Sequence, residues 1–209
     1  MVSKAFLVSL LFGAIYGGIA GSYKISGASV IQSCIPVPEM VLKENGTIVK
    51  TTCSVAEPTV TFGKWVQTSP NTIIEFLVDG TSEVKVQENP QENTLVYGSL
   101  SLKKVEPSAL SLGVVANIFG DWKASQPQTK EECAIISGLS VMNTGQIIRY
   151  FCRGSSKNWM EKGVFRIDNY RDSQVNFSTI FNSSYVPITL VSDGPDNVIF
   201  KGVNMTRVA

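Results

Sequence analysis

Residues 21–53 and 120–152 are one segment written twice, and this duplication constrains the fold more than any other feature of the chain. A displacement of 99 positions places Gly21 on Gly120, Lys24 on Lys123, Ser26 on Ser125, Cys34 on Cys133, Gly46 on Gly145, Ile48 on Ile147 and Cys53 on Cys152, with no gap. Conservative pairs fill the register: Tyr23 with Trp122, Leu42 with Val141, Val49 with Ile148 and Lys50 with Arg149. Two tandem units are expected, and what one does physically the other has the residues to do.

The chain opens with Lys4 and an apolar run from Ala5 to Ala20, the pattern of a secretory signal, with Gly18 and Ala20 suited to the −3 and −1 positions of a signal-peptidase site. The run is short for a bilayer span, so an uncleaved anchor is the weaker alternative. No later segment is apolar enough to cross a membrane, and the mature chain is expected to be secreted without a span. The sequence divides into a leader over 1–20, a first unit over 21–107 and a second over 118–209. Four cysteines in a chain bound for an oxidising compartment read as two disulfides. Both pairs are 19 positions apart, which favours Cys34–Cys53 and Cys133–Cys152; pairing between the equivalent cysteines of the two units is the other connectivity. Sequons at Asn45, Asn176, Asn182 and Asn204 are candidate glycosylation sites of a eukaryotic product.

Composition excludes several function classes. Eighteen basic and 17 acidic residues leave a net charge of +1 with no clustered run, so there is no electrostatic footprint for nucleic acid or an anionic membrane. The chain has no histidine, which removes Ser-His-Asp and Cys-His relays and imidazole metal ligands. No paired-carboxylate motif invites acid/base work. The expectation is a non-enzyme with no catalytic residues, metal or cofactor.

Short β-branched or aromatic runs between turn residues recur throughout: Glu39–Leu42, Thr47–Thr52, Thr59–Val66, Thr72–Val78, Glu83–Gln87 and Leu95–Val105, then Leu139–Met142, Gln146–Phe151, Val164–Ile167, Gln174–Ile180, Tyr185–Val191 and Val198–Val208. Asn45-Gly46, Asp79-Gly80 and Asp193-Gly194 are turn signals, because positive φ is cheap for these residues. Regular short strands of this kind form a sandwich or a barrel. An immunoglobulin sandwich sets its cysteines far apart with a Trp between them, whereas only 18 residues and no Trp intervene here. The spacing suits the two arms of a hairpin turning at Asn45-Gly46 and at Thr144-Gly145. A two-residue turn at Asn45-Gly46 places Cys53 opposite Pro38, so the bridge needs a bulge or bend, for which Pro36 and Pro38 are agents. The linker falls near 106–118, and its apolar stretch Leu110–Ile118 suits a last strand or a packing segment better than a free joint.

Gly21-Ser22-Tyr23-Lys24 and Gly120-Asp121-Trp122-Lys123 resemble the Gly-x-Trp opening of lipocalins. Cys34-Ile35 with Leu42-Lys43-Glu44-Asn45-Gly46-Thr47-Ile48 resembles the second and third strands of apolipoprotein-D-like members. Phe165-Arg166-Ile167-Asp168-Asn169-Tyr170 with Val175-Asn176-Phe177 is similar to the Thr-Asp-Tyr loop between two late strands. Each unit is shorter than a usual lipocalin, by about a strand pair and the flanking helix. The resemblance implies two small antiparallel up-and-down β-barrels and the binding of a small hydrophobic molecule. Trp65, Phe76 and Tyr97 in the first unit and Phe165, Phe177 and Phe200 in the second are candidate ligand walls; the alternative is that these aromatics fill solid barrels. The family also packs the Gly-x-Trp ring under a cation from the final strand. Aligning Leu95–Val105 on Val198–Val208 matches Lys104 with Arg207, which pairs Trp122 with Arg207 and Tyr23 with Lys104. A lipocalin-like carrier is the leading expectation, and an extracellular interaction or structural glycoprotein with two filled domains, binding a protein partner through its loops, is the competitor.

Peptide mapping of the intact protein is expected to find Cys34–Cys53 and Cys133–Cys152, and a bridge joining the two halves would refute the assignment. Removing either pair should destabilise its unit by about 3 kcal/mol in the chain-entropy account.

Overall fold

The structure, a computed structural model, describes residues 18–25, 39–54, 57–125, 136–151 and 159–208. Cys34, Cys133, Cys152 and the side chain of Cys53 fall outside them, so the expected disulfides lie outside the described residues, as does the leader up to residue 17. In the first unit β1 (Gly21–Ile25), β2 (Glu39–Leu42), β3 (Thr47–Ser54), β4 (Glu57–Ser69), β5 (Thr72–Leu77), β6 (Gly80–Asn89), β7 (Thr94–Tyr97) and β8 (Leu100–Val105) follow one another around a closed antiparallel barrel. In the second, β9 (Gly120–Ala124), β10 (Ile136–Val141), β11 (Gln146–Phe151), β12 (Trp159–Arg171), β13 (Gln174–Phe181), β14 (Ser184–Ser192), β15 (Asn197–Phe200) and β16 (Val203–Arg207) do the same. Both are up-and-down barrels of eight strands, each closed by its first strand, which pairs with both the second and the last. Among the described residues no helix is long and apolar enough to cross a membrane.

The strands form where side chains alternate between a dry and a wet face. In β13 Val175, Phe177, Thr179 and Phe181 are buried while Gln174 and Ile180 between and beside them are exposed, the period of two that one barrel wall requires. The same period hides a turn. Leu95–Val105 and Val198–Val208, each read as one strand, are hairpins, with Tyr97 facing Leu100 and Phe200 facing Val203. The apolar alternation of Leu95 and Tyr97 resumes at Leu100 and Leu102 after a two-residue turn, so periodicity alone passes straight through it. Gly98 (φ 59°) and the Lys201-Gly202 pair (φ 49° and 79°) make these turns. The split supplies the eighth strand of each barrel despite the short units.

The turn expected at Asn45-Gly46 is one residue longer. Val41 faces Val49 and Leu42 faces Ile48, and the Lys43 amide donates to Thr47 O (2.8 Å) while that of Gly46 donates to Lys43 O (3.0 Å). This is a type I turn closed by a glycine bulge, with Gly46 at φ 79°. The second unit repeats it from Met142 to Gln146 with Gly145 at φ 81°. The first unit also reaches back past the 20/21 boundary: Ile19 is buried in its core, and the Tyr23 hydroxyl donates to Ile19 O (2.7 Å) as Trp122 Nε1 donates to Ile118 O (2.9 Å).

The linker is a 3-10 turn (Pro107–Ala109) and a short helix α1 (Gly113–Ile118), not a strand. Glu39 of β2 fastens it, its Oε2 accepting from Leu112 N (3.1 Å) and Ser111 Oγ (2.8 Å). Val41, Val49 and Phe62 are cross-strand neighbours on the outer wall of the first barrel, and they share one core with Leu112, Val115, Ala116 and Phe119. Phe62 lies 5.1 Å from Phe119 and stacks on Phe165 of the second barrel at 5.2 Å. Phe165 N donates to Gly145 O (2.9 Å), which places that ring at the turn end of its barrel. Asn143 Nδ2 donates to Thr47 Oγ1 (2.9 Å) across the same junction. The second barrel therefore rests its turn end on the side wall of the first.

Gly63 and Gly163 occupy matching positions on β4 and β12, where a Cβ would lie 2.1 Å from Phe76 O and 2.6 Å from Ile180 O. Both obstacles are backbone. Gly63→Ala and Gly163→Ala are each expected to destabilise the protein by about 1–3 kcal/mol through overpacking, and an unchanged denaturation midpoint for either would refute the close approach.

Candidate functional site

An inward position in a small barrel is ordinarily apolar, because an ionised group there loses its water. Both barrels break this rule at the same place. Lys50 follows Ile48 in phase on β3 and Arg149 follows Ile147 on β11, so both cations point inward, and both residues are more than nine-tenths buried.

In the first barrel the cation has a carboxylate and a phenol as acceptors. Lys50 Nζ donates to Glu75 Oε2 (2.6 Å) and to Tyr97 OH (2.7 Å), and Tyr97 OH donates to Glu75 Oε1 (2.5 Å). Ser82 Oγ donates to Glu75 Oε2 at 3.3 Å. Burial above all, then the charge of Glu75 and its hydrogen bond, pushes the Tyr97 phenol far above its usual value, so it stays a neutral donor. The ring of three groups is closed, with each member's charge or hydrogen held by another.

The second barrel has exchanged the partners. Thr179 stands where Glu75 stands, as the pairs Trp65–Glu75 and Phe165–Thr179 show, and Phe200 stands for Tyr97, as Val86–Tyr97 and Leu190–Phe200 show. Thr179 turns its hydroxyl to Val186 O. The carboxylate has moved one strand over, to Glu161 of β12, which faces Arg149 and accepts from its Nη2. The guanidinium lies 3.8 Å from the Phe181 ring centroid and 5.9 Å from that of Phe151, and Phe151 stacks at 3.9 Å on Trp159, which is 47% exposed. Arg149 Nε is buried and has no hydrogen-bond partner among the described residues.

Of the six aromatics expected to line ligand walls, five are buried. Phe177 and Phe200 sit deep in the second barrel. Trp65 is buried at the turn end of the first, its Nε1 donating to Lys43 O (3.0 Å). Tyr97 belongs to the polar ring. Phe165 meets Phe177 edge-on at 5.2 Å and also joins the inter-barrel cluster. Phe76 is a correction: it is 47% exposed on the outer wall, because the inward phase of β5 is set by Ile73 and Glu75.

At the barrel ends the Arg207 guanidinium lies 4.2 Å from the Trp122 ring and Lys104 Nζ lies 5.9 Å from that of Tyr23. Arg207 also donates from Nη1 to Phe119 O (2.9 Å) and from Nη2 to Asn117 O and Pro195 O (both 2.7 Å). It thus ties the last strand to the end of α1, a task for which a planar five-donor group suits better than an ammonium. The sequons differ in setting. Asn45, Asn182 and Asn204 are exposed, whereas Asn176 is engaged through Nδ2 with Asn169 Oδ1 (2.7 Å) and accepts from Thr189 Oγ1 (2.6 Å).

Comparison with family models, with curated proteins and with solved structures gave no match.

Lys43 sits at the junction, donating to Asn117 Oδ1 at 3.4 Å, and burial, with Arg207 nearby, lowers its pKa from 10.5 to about 8. Between these values the unfolded chain holds a proton that the folded one releases, so this group's contribution to stability rises with pH across the window from 8 to 10.5. The second unit carries Met142 at this position. Lys43→Met is expected to stabilise the protein at neutral pH by about 2 kcal/mol and to flatten that rise. Chemical denaturation at pH 7 and near pH 10 checks both, and a variant less stable than the parent at pH 7 would refute them.

Proposed function

We propose that the protein is a secreted, lipocalin-like binder of a small hydrophobic molecule. What carries this reading is the construction common to both units: a closed eight-stranded up-and-down barrel whose opening strand sets an aromatic ring beneath a cation of the closing strand, Trp122 under Arg207 and Tyr23 by Lys104. Barrels of this size hold one small ligand or fill with side chains. Charges at inward positions, Lys50 with Glu75 and Arg149 with Glu161, favour the first use, since a barrel that needs only to be solid is more stable with apolar groups there.

A second reading has its own observation. Val164, Ile180 and Tyr185 are cross-strand neighbours on the outer wall of the second barrel, all about half exposed or more, and line a groove of about 360 Å³ with Arg166 and Ser178. An exposed apolar ladder suits an interaction protein with filled barrels.

The readings separate on what the protein carries. Solvent extraction of protein purified from its natural source, followed by mass spectrometry, is expected to release an apolar small molecule in near-stoichiometric amount, and the stripped protein should bind an apolar fluorophore. Protein that yields no such molecule and binds no such probe is the interaction protein of the second reading.

A further inference from the structure

We propose that the second barrel, and not the first, takes a ligand with an anionic head, a carboxylate, and that Arg149 is the residue that receives it. The proposal rests on the small-molecule reading above and deepens it.

The duplicated units provide an internal comparison. At the shared inward position, Lys50 has both Glu75 and Tyr97 as acceptors, and these two also bond each other. The carboxylate and the phenol of that ring are bound to the ammonium and to each other, and inserting a ligand head would break charge-assisted bonds between buried groups. Arg149 has lost both counterparts, to Thr179 and Phe200. Among the described residues its one carboxylate, Glu161, bonds Nη2, and Nε remains a buried donor without an acceptor. A buried N–H of a charged group is costly to leave unmet. Stacking on Phe181 covers the face of the guanidinium, and its N–H groups point outward in the plane of the fork, which is the geometry that matches a carboxylate. The neighbourhood also suits the rest of an amphiphile: Phe151 and the half-exposed Trp159 stack beside the cation on the inward phase of β11 and β12. Glu161 keeps the cation from being uncompensated when no ligand is present, so what a ligand carboxylate gains here is the buried Nε–H and not charge balance.

The test uses the full-length secreted protein, stripped of lipid, with cis-parinaric acid and its methyl ester, two probes of the same polyene chain that differ in the head. The parent is expected to bind one acid per chain, and to prefer it to the ester by about tenfold or more, the scale of one buried hydrogen bond to a charged group. Arg149→Met combined with Glu161→Gln, which leaves no lone buried charge, should bind acid and ester alike while its affinity for the ester stays near the parent's. Arg149→Lys, which keeps the charge but has no Nε, should lose part of the preference, and it serves if the double variant does not fold. Equal binding of acid and ester by the parent, or a preference that survives both substitutions, overturns the assignment of Arg149 and leaves the carrier reading standing. Two acids bound per chain overturn the restriction to the second barrel. Binding of neither probe overturns the carrier reading itself.

Discussion

Closure by the first strand is the constraint on which the rest of the structure depends. An eight-stranded sheet left open would expose two unpaired edges, and in each unit the opening strand hides both by pairing with the second strand on one side and the last on the other. The strand that does this is only five residues long. Its buried ring, Tyr23 or Trp122, therefore matters beyond its area: it fixes which face of so short a strand points inward, and its polar atom reaches the carbonyl four residues back, of Ile19 or Ile118. The entry to each barrel is thereby part of its core.

Duplication then allowed the interiors to diverge within a fixed frame. The turns Lys43–Thr47 and Met142–Gln146 repeat bond for bond, and the cation at the second inward position of the following strand is kept as Lys50 or Arg149. What changed is which wall supplies the counter-charge, β5 in one barrel and β12 in the other. One arrangement is saturated and the other is not. The outer walls diverged as well: Phe62 of the first barrel packs at the junction, while its counterpart in the second is Lys162, an exposed cation.

The sequence displayed the frame more clearly than the site. Repeats, turn glycines and period-two runs are local, so ten of the sixteen strands could be placed from them, and the alignment of Lys104 with Arg207 put the two cations by their rings. The hairpins at Gly98 and Lys201 were illegible because apolar alternation does not lose phase across a two-residue turn. Aromatic character does not report phase: Phe76 faces outward, and Glu75, one residue away, holds the inward position through contacts with Lys50 and Tyr97 that are distant in sequence. The polar rings were missed for that reason too. A charged residue in phase with buried neighbours was the available signal, and Lys50 after Ile48, Glu75 after Ile73 and Arg149 after Ile147 all carried it.

The end-to-wall junction has a consequence for the order of assembly. The wall that Phe62 presents is built entirely from the earlier unit, while Phe119 and Phe165, which pack against it, belong to the linker's end and the later one. Chains fold as they are made, earlier parts first. The first barrel can therefore complete its hydrogen-bonded wall before the second exists, and it then offers a finished apolar floor on which the turn end of the second condenses. The burial is mutual, since Val41, Val49 and Phe62 also leave water at this junction, but the order is not: the hydrogen bonds of the floor lie within the first barrel, and the second arrives on it.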